Sequence, residues 1–323
     1  MALKANLVPM LHGSPGLGKS AVVHQIAKQY KLKLIDLRLS QCDPTDLLGF
    51  PFVKDGRAGY APMNTFPLEG DSLPAGYSGW LLFLDELNSA PIPVQSAAYK
   101  LILDRKVGLF NLHPNVAMVA AGNLETDGAI VNPMSTALAS RMAHFFVELN
   151  VKDWLNWANE SHLDYHITSF IEFLPTKLNT HTPDNLEMAY ASPRTWEFSD
   201  RIFKQHGINR DLLPMYAGLL SEGVAREFYG FCQASASLPK IEQILQAPST
   251  TTMPGEPSYQ YALTGAIAAH ANEDNCDSLM TYVKRMPPEF QVVGVRSMIK
   301  RNAALVKSPA ITEWITTTSS DLL

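Results

Sequence analysis

Residues 7–30 read LVPMLHGSPGLGKSAVVHQIAKQY: an apolar run, a glycine-rich turn and a helical pattern in immediate succession. Within it, Gly13, Ser14, Pro15, Gly16, Leu17, Gly18, Lys19 and Ser20 satisfy G-x-x-x-x-G-K-[ST], the phosphate-binding loop. Glycines let the backbone curl so that several N–H groups point at one phosphate chain. The helix behind them, which carries Ala21 as a further nucleotide-binding position, adds unsatisfied N-terminal donors and a positive dipole end. Lys19 is expected to reach the β- and γ-phosphates and the Ser20 hydroxyl to ligate Mg2+. A glycine turn that fitted by chance would lack the flanking elements. Here Leu7 to Leu11 suit a buried strand, and Ala21, Val22, Val23, Ile26, Ala27 and Tyr30 give the next helix an apolar face. This stretch predicts a nucleoside triphosphate site.

Outward from the loop, KLIDLRL at 33–39 is a second strand candidate with alternating Ile35, Leu37 and Leu39. Residues 40–79 are rich in Gly, Pro, Asp and Ser. Asp43-Pro44 suits the start of a short helix through Leu48. FPFVKDGRAGYAP then reads as a hairpin turning at Asp55-Gly56. The continuous apolar run WLLFLD at 80–85 predicts a central parallel strand. A helix is expected over 92–105, a strand over 115–121, a helix over 134–142 and a last strand over Ala143–Leu149. Five strands alternating with helices predict a parallel sheet with crossovers. From about residue 151 only helical periods remain, as in VKDWLNWANE, YHITSFIEFL and SPRTWEFSDRIFKQ. The expected domains are an α/β nucleotide-binding domain over 1–150, a helical lid over 151–245 and a C-terminal helical extension over 246–323.

The totals agree with an ordinary soluble globular chain: 323 residues, 46% hydrophobic and 18% charged. A net charge of −5 and a pI near 6.0 provide no global attraction to nucleic acid or anionic membranes. Cys42, Cys232 and Cys276 are odd in number and far apart, which suits buried or incidental thiols. No signal-peptide pattern opens the chain and no apolar run reaches spanning length, so a cytoplasmic protein is expected.

Several residues carry candidate chemistry. Asp85 and Glu86 end the 80–85 strand, where ligands of open α/β sheets bind. Asp85 would join Ser20 in the Mg2+ shell, and Glu86 would accept a proton from, or orient, the attacking water. Asn123 closes the next strand and offers a neutral amide to that water or to the γ-phosphate; the alternative is a turn asparagine. Arg141, just before the last strand, is placed to act as a finger on a neighbouring subunit's γ-phosphate. Arg194 opens a helix that Ser192 would cap and Pro193 would begin, so it could clamp the phosphate from the lid side. For both arginines the alternative is a solvated surface position. His162 and His166 find no third metal ligand and read as a solvated helix face. Trp154 and Trp157 read as packing residues, and His12 as a brace for the strand end. Lys54, Arg57 and Lys106 are candidates for a pore lining or simple turn charges.

With GSPGLGKS, DPTDLLGFP, GYAP, GWLLFLDELNSAP, AAGN, ALASRM and SPRTW in this order, residues 7–205 resemble the AAA+ ATPases. Among them the resemblance is to the MoxR family of the CbbQ, NorQ and RavA type. It puts Lys19 and Ser20 on Walker A, Asp85 and Glu86 on Walker B, and Asn123 on sensor 1. Arg141 falls on the arginine finger and Arg194 on sensor 2. It also implies a hairpin inserted in helix 2 within 47–79 and a second hairpin near 107–114. A P-loop NTPase domain binding ATP and Mg2+ follows, in a homo-oligomer of hexameric type. So does a partner with a von Willebrand factor A domain and a protein client to be remodelled or activated. The sequence departs from the pattern at its start, where little chain precedes the first strand. Two other readings stay open: a motor that handles nucleic acid, and a nucleotide-binding scaffold with little turnover. The acidic net charge counts against the first, and Glu86 with Arg141 against the second.

Overall fold

The computed structural model describes residues 2–127, 131–182 and 187–322. They divide into two compact units, Met1–Glu148 and Leu149–Leu323. In the first, β1 (Val8–His12) leads into α1 (Lys19–Gln29), which returns the chain to β2 (Leu32–Arg38). A short helix α2 (Pro44–Leu48) and a hairpin of β3 (Phe50–Lys54) and β4 (Arg57–Ala61) precede β5 (Gly79–Asp85). There follow α3 (Ile92–Asp104), a small hairpin of β6 (Lys106–Val107) and β7 (Phe110–Asn111), and β8 (Val116–Gly122). The unit closes with α4 (Thr136–Ala139) and β9 (Met142–Phe146).

The main sheet has five strands in the order β2-β5-β8-β1-β9, and every neighbouring pair is parallel. Strand β1 sits between β8 and β9, while its crossover through α1 runs to the far edge. That makes the carboxyl end of β1 the topological switch point, the usual ligand position of such sheets. Strand β5 is buried at every position. Leu82 and Leu84 pack on one face with Val94, Ala98 and Leu101 of α3, whereas Leu81 and Phe83 pack on the other with Val23 and Ala27 of α1. A strand covered on both faces needs apolar residues at consecutive positions, which explains the unbroken WLLFL.

The helix after Asp43-Pro44 and the Asp55-Gly56 turn are present as expected. Asp46 accepts the Asp43 backbone N–H at 2.8 Å, and Asp55 and Gly56 both have positive φ, the pairing that a tight hairpin turn requires. The expected helix over 134–142 is corrected: only Thr136–Ala139 is helical. The chain before it is tied back, with Asn132 donating its backbone N–H to Asn88 O at 2.6 Å and its amide to Ala90 O at 2.9 Å. Ser135 then caps the helix at Leu138 N. The last strand accordingly starts one residue earlier than expected and ends at Phe146, not Leu149.

The second unit is helical throughout its described residues. Its first core is built by α5 (Val151–Glu160), α6 (Tyr165–Phe173), α7 (Pro193–His206), α8 (Leu213–Leu220) and α9 (Glu222–Ser235). The second is built by α10 (Ile241–Gln246), α11 (Pro257–His270), α12 (Cys276–Val283), α13 (Pro288–Arg301) and α14 (Pro309–Leu322). Trp154 is buried in the first core, with the Trp157 ring 6.3 Å away. His166 is not on a solvated face: it is half-buried, stacked on Tyr165 at 4.0 Å, with Nδ1 2.8 Å from Asp164. His162 lies outside α6 in left-handed backbone, and among the described residues no group of three or more His, Cys, Asp or Glu is placed to hold a metal. Cys232 and Cys276 are buried free thiols and Cys42 is half-buried. Among the described residues no helix is long and apolar enough to cross a membrane.

Polar contacts join α13 to α5 and α6. Arg296 pairs with Glu172 at 3.0 Å, Lys300 with Glu160 at 2.8 Å, and Arg301 donates to Leu163 O at 2.7 Å. Glu172 is 5% exposed in its side chain, and burial outweighs Arg296 to push its carboxyl up to about 7. A carboxyl raised in the folded state binds its proton more tightly there than in the unfolded chain. Its contribution to stability is therefore complete below the ordinary glutamate range and is lost as pH rises through about 7. Glu172→Gln is expected to flatten the fall in unfolding free energy between pH 4.5 and 8, by up to about 3 kcal/mol. Urea unfolding of both proteins across that range measures it; parallel pH profiles would contradict it.

Candidate functional site

The site is assembled at the carboxyl ends of β1, β5 and β8. After β1 the chain turns through Gly16 (φ 82°) and Gly18 (φ 91°) before α1 begins. Gly18 is the cap residue of α1 in left-handed backbone, where a side chain would be strained, so the motif's second glycine is a conformational requirement. The loop thereby delivers the first N–H groups of α1 to the switch point.

Lys19 is 9% exposed and folds back over this loop. Its Nζ donates to Gly13 O at 2.5 Å, Ser14 O at 3.1 Å and Asn123 Oδ1 at 3.1 Å. Ser20 donates its hydroxyl to Asp85 Oδ2 at 3.0 Å. The other Asp85 oxygen accepts the Glu86 backbone N–H at 2.9 Å. Glu86 sits in left-handed backbone (φ 57°), which turns the chain sharply at the end of β5, and its carboxylate accepts the Ser40 hydroxyl. Five of the expected residues are thus brought together: Lys19, Ser20, Asp85, Glu86 and Asn123.

Asp36 on β2 has its carboxyl raised by burial and then by the Asp85 charge, with a smaller push from Glu86. Arg38 and His24 oppose these pushes. The donor set fits Mg2+: a hydroxyl and a carboxylate, both hard oxygen ligands, with remaining positions open to phosphate and water.

Asn123 is held by a residue that the sequence reading left out. Asn88, 4% exposed, donates its amide to Asn123 O at 2.7 Å and accepts Asn123 N–H at 3.1 Å. Gly122 permits this approach, since a Cβ there would stand 2.2 Å from Asn88 Oδ1. Ser40 was missed as well. Neither position carries a local signal in the sequence, since each lies among other polar residues. Asn88→Ala leaves the Asn123 backbone pair without its partner and is expected to destabilise the first unit by about 1–3 kcal/mol. Denaturant unfolding measures the loss; an unchanged midpoint would mean that the clamp is dispensable.

Neither arginine takes part in the hydrogen bonds just described. Arg141 is exposed; its Nη1 donates to Ala137 O at 2.6 Å and its guanidinium lies 5.0 Å from the Tyr99 ring centroid. Arg194 belongs to the second unit, exposed in the first turn of α7. There Ser192 accepts Thr195 N–H at 3.3 Å and Thr195 Oγ1 accepts Ser192 N–H at 2.8 Å, a reciprocal cap.

The two hairpins lie side by side, with Gly108 against Leu48 O and Tyr60. They expose Phe50, Phe52, Val53, Tyr60, Leu109 and Phe110, with Lys54 and Arg57 flanking the first turn.

Residues 9–149 match the family model described as the ATPase family associated with various cellular activities (AAA). Among solved structures, a point variant of RuvB from Thermotoga maritima is 15% identical, with 77% of this chain and 73% of that one covered at a TM-score of 0.39. NtrX from Brucella abortus is 13% identical, with 97% and 64% covered at a TM-score of 0.36. Over residues 9–149 the first unit is thus similar to the AAA ATPases.

Proposed function

From the similarity of residues 9–149 to the AAA ATPase family, we propose that the protein is a Mg2+-dependent ATPase of MoxR type. It would work as an oligomeric ring, hexameric by its resemblance, that remodels or activates a client protein in the cytoplasm. One observation carries the ATPase reading: Lys19, the Ser20–Asp85 pair, Asn123 and Glu86 converge at the carboxyl ends of three adjacent strands.

In this reading Gly13 to Ala21 cradle the triphosphate through backbone N–H groups, and Lys19 exchanges its carbonyl partners for β- and γ-phosphate oxygens. Ser20 and Asp85 hold Mg2+, which neutralises charge on the phosphate oxygens when bound. Glu86, braced by Ser40, takes the proton of the attacking water. Asn123, clamped by Asn88, orients that water without adding negative charge. Arg141 completes the site of a neighbouring subunit, and Arg194 contacts the γ-phosphate from the lid, residues 151–245, so that lid position follows the nucleotide. The extension, 246–323, moves with the lid through the Glu172–Arg296 and Glu160–Lys300 pairs.

The exposed aromatic and basic hairpins are the client contact in this reading: apolar rings give grip without sequence specificity. A partner carrying a von Willebrand factor A domain would deliver the client. The test compares wild type with Lys19→Ala in ATP binding and in hydrolysis, with and without Mg2+. The wild type is expected to hydrolyse ATP only with Mg2+, and the variant to lose binding. Tight binding and full turnover by Lys19→Ala would overturn the reading.

A further inference from the structure

His12, the residue before the phosphate loop, takes part in a chain of contacts that ends at Arg141. Its ring stacks on His144 at 5.0 Å and on Phe146 at 5.1 Å, both on the adjacent edge strand β9. His12 Nε2 is 2.7 Å from His144 Nδ1, and His144 Nε2 is 2.9 Å from Ala139 O. A carbonyl can only accept, so His144 carries a proton on Nε2, and in the neutral ring its Nδ1 accepts from His12 Nε2–H. Burial, then His144 and Lys19, hold His12 below the ordinary histidine range, which favours this neutral arrangement. Ala139 is the last residue of α4, two before Arg141. Arg141 is in turn seated on the Ala137 carbonyl of the same helix and on Tyr99.

We propose that His12 and His144 form a positioning relay from the phosphate loop of one subunit to its Arg141. Through the relay, the state of a subunit's own site sets how it offers this arginine to its neighbour. Strands β1 and β9 are paired in parallel from Val8–Met142 to His12–Phe146, whereas α4 is a single short turn whose last carbonyl, Ala139 O, is met by His144. The hydrogen bond from His144 fixes that turn, and the His12 ring fixes His144 by stacking and by its own bond. A shift at Gly13 is transmitted to α4 without any contact between the loop and the arginine. The inference rests on the reading of Arg141 as a finger acting on the neighbouring subunit.

The test measures steady-state ATP hydrolysis and the binding of a fluorescent ATP analogue, at protein concentrations where the assembly is complete. It compares wild type, His144→Ala, His144→Gln, His144→Asn, Arg141→Ala and the double variant His144→Ala/Arg141→Ala. His144→Ala is expected to lose roughly tenfold in kcat with nucleotide affinity unchanged, since small misplacements of a catalytic group have effects of this order. Gln reaches Ala139 O with an amide N–H but keeps no bond or stack to His12, and should recover only part of the rate. Asn keeps only the acceptor toward His12 and should lose rate as alanine does, which decides the matter if His144→Ala fails to fold. In the Arg141→Ala background His144→Ala should cost nothing further. Wild-type kcat in His144→Ala and His144→Asn, an additive loss in the double variant, or a matching loss of ATP affinity would each overturn the relay. Full activity of Arg141→Ala alone would show instead that the finger reading fails, and the relay with it.

Discussion

Glu86→Gln is expected to bind ATP as tightly as wild type and to hydrolyse it roughly 10²–10⁴ times more slowly, the usual range for removing a general base. The geometry makes this a clean substitution. Glu86 is placed by its left-handed backbone and by Ser40, and a glutamine of the same shape can still accept the Ser40 hydroxyl through its amide oxygen. What it cannot do is take a proton. Single-turnover hydrolysis, read beside analogue binding, separates the two steps. If the variant keeps more than about a tenth of the wild-type rate, proton removal lies elsewhere and Glu86 serves only to shape the end of β5.

Arg141→Ala should have a larger effect, a fall of roughly 10³–10⁵ in kcat, as for arginine fingers in related chemistry. The residue is exposed and touches Tyr99 and the Ala137 carbonyl of α4, so its removal should leave the fold and the phosphate loop intact. Arg141→Lys should rescue little, because an ammonium cannot reproduce the planar two-pronged contact with phosphate oxygens. A mixture of subunits sharpens the measurement. Glu86→Gln chains, which bind ATP and keep Arg141, should restore hydrolysis in sites of Arg141→Ala chains beside them, well above the rate of either variant alone. Failure of complementation in assembled mixtures would place Arg141 outside the neighbour's site.

The legible parts of this protein are those whose chemistry is written in consecutive residues. The loop from Gly13 to Ser20 must turn, present N–H groups and begin a helix within eight positions, so every requirement shows in the local sequence. The acids after WLLFL and the asparagine after VAMVAAG follow from the same logic, since a buried strand ending in polar groups marks a sheet edge. The supports of the site are not legible, because their partners are distant in the chain. Ser40 meets Glu86 across 46 residues and Asn88 meets Asn123 across 35. The truncation of α4 has the same origin, as Asn132 is drawn back to Asn88 and Ala90 before the helix starts. Period alone suggested a helix through 142; hydrogen bonds from elsewhere in the first unit shortened it. In the second unit, Glu172 and Arg296 stand 124 residues apart, and their pairing shows only once α6 and α13 are in place.

Specific ATPase activity measured across a wide range of protein concentration tests the central claim of a site shared between subunits most directly. The account predicts activity per subunit that rises with concentration as neighbours supply Arg141 to one another, and an Arg141→Ala protein that binds ATP yet stays inactive throughout. Activity per subunit that is flat down to concentrations where the protein is monomeric would contradict it.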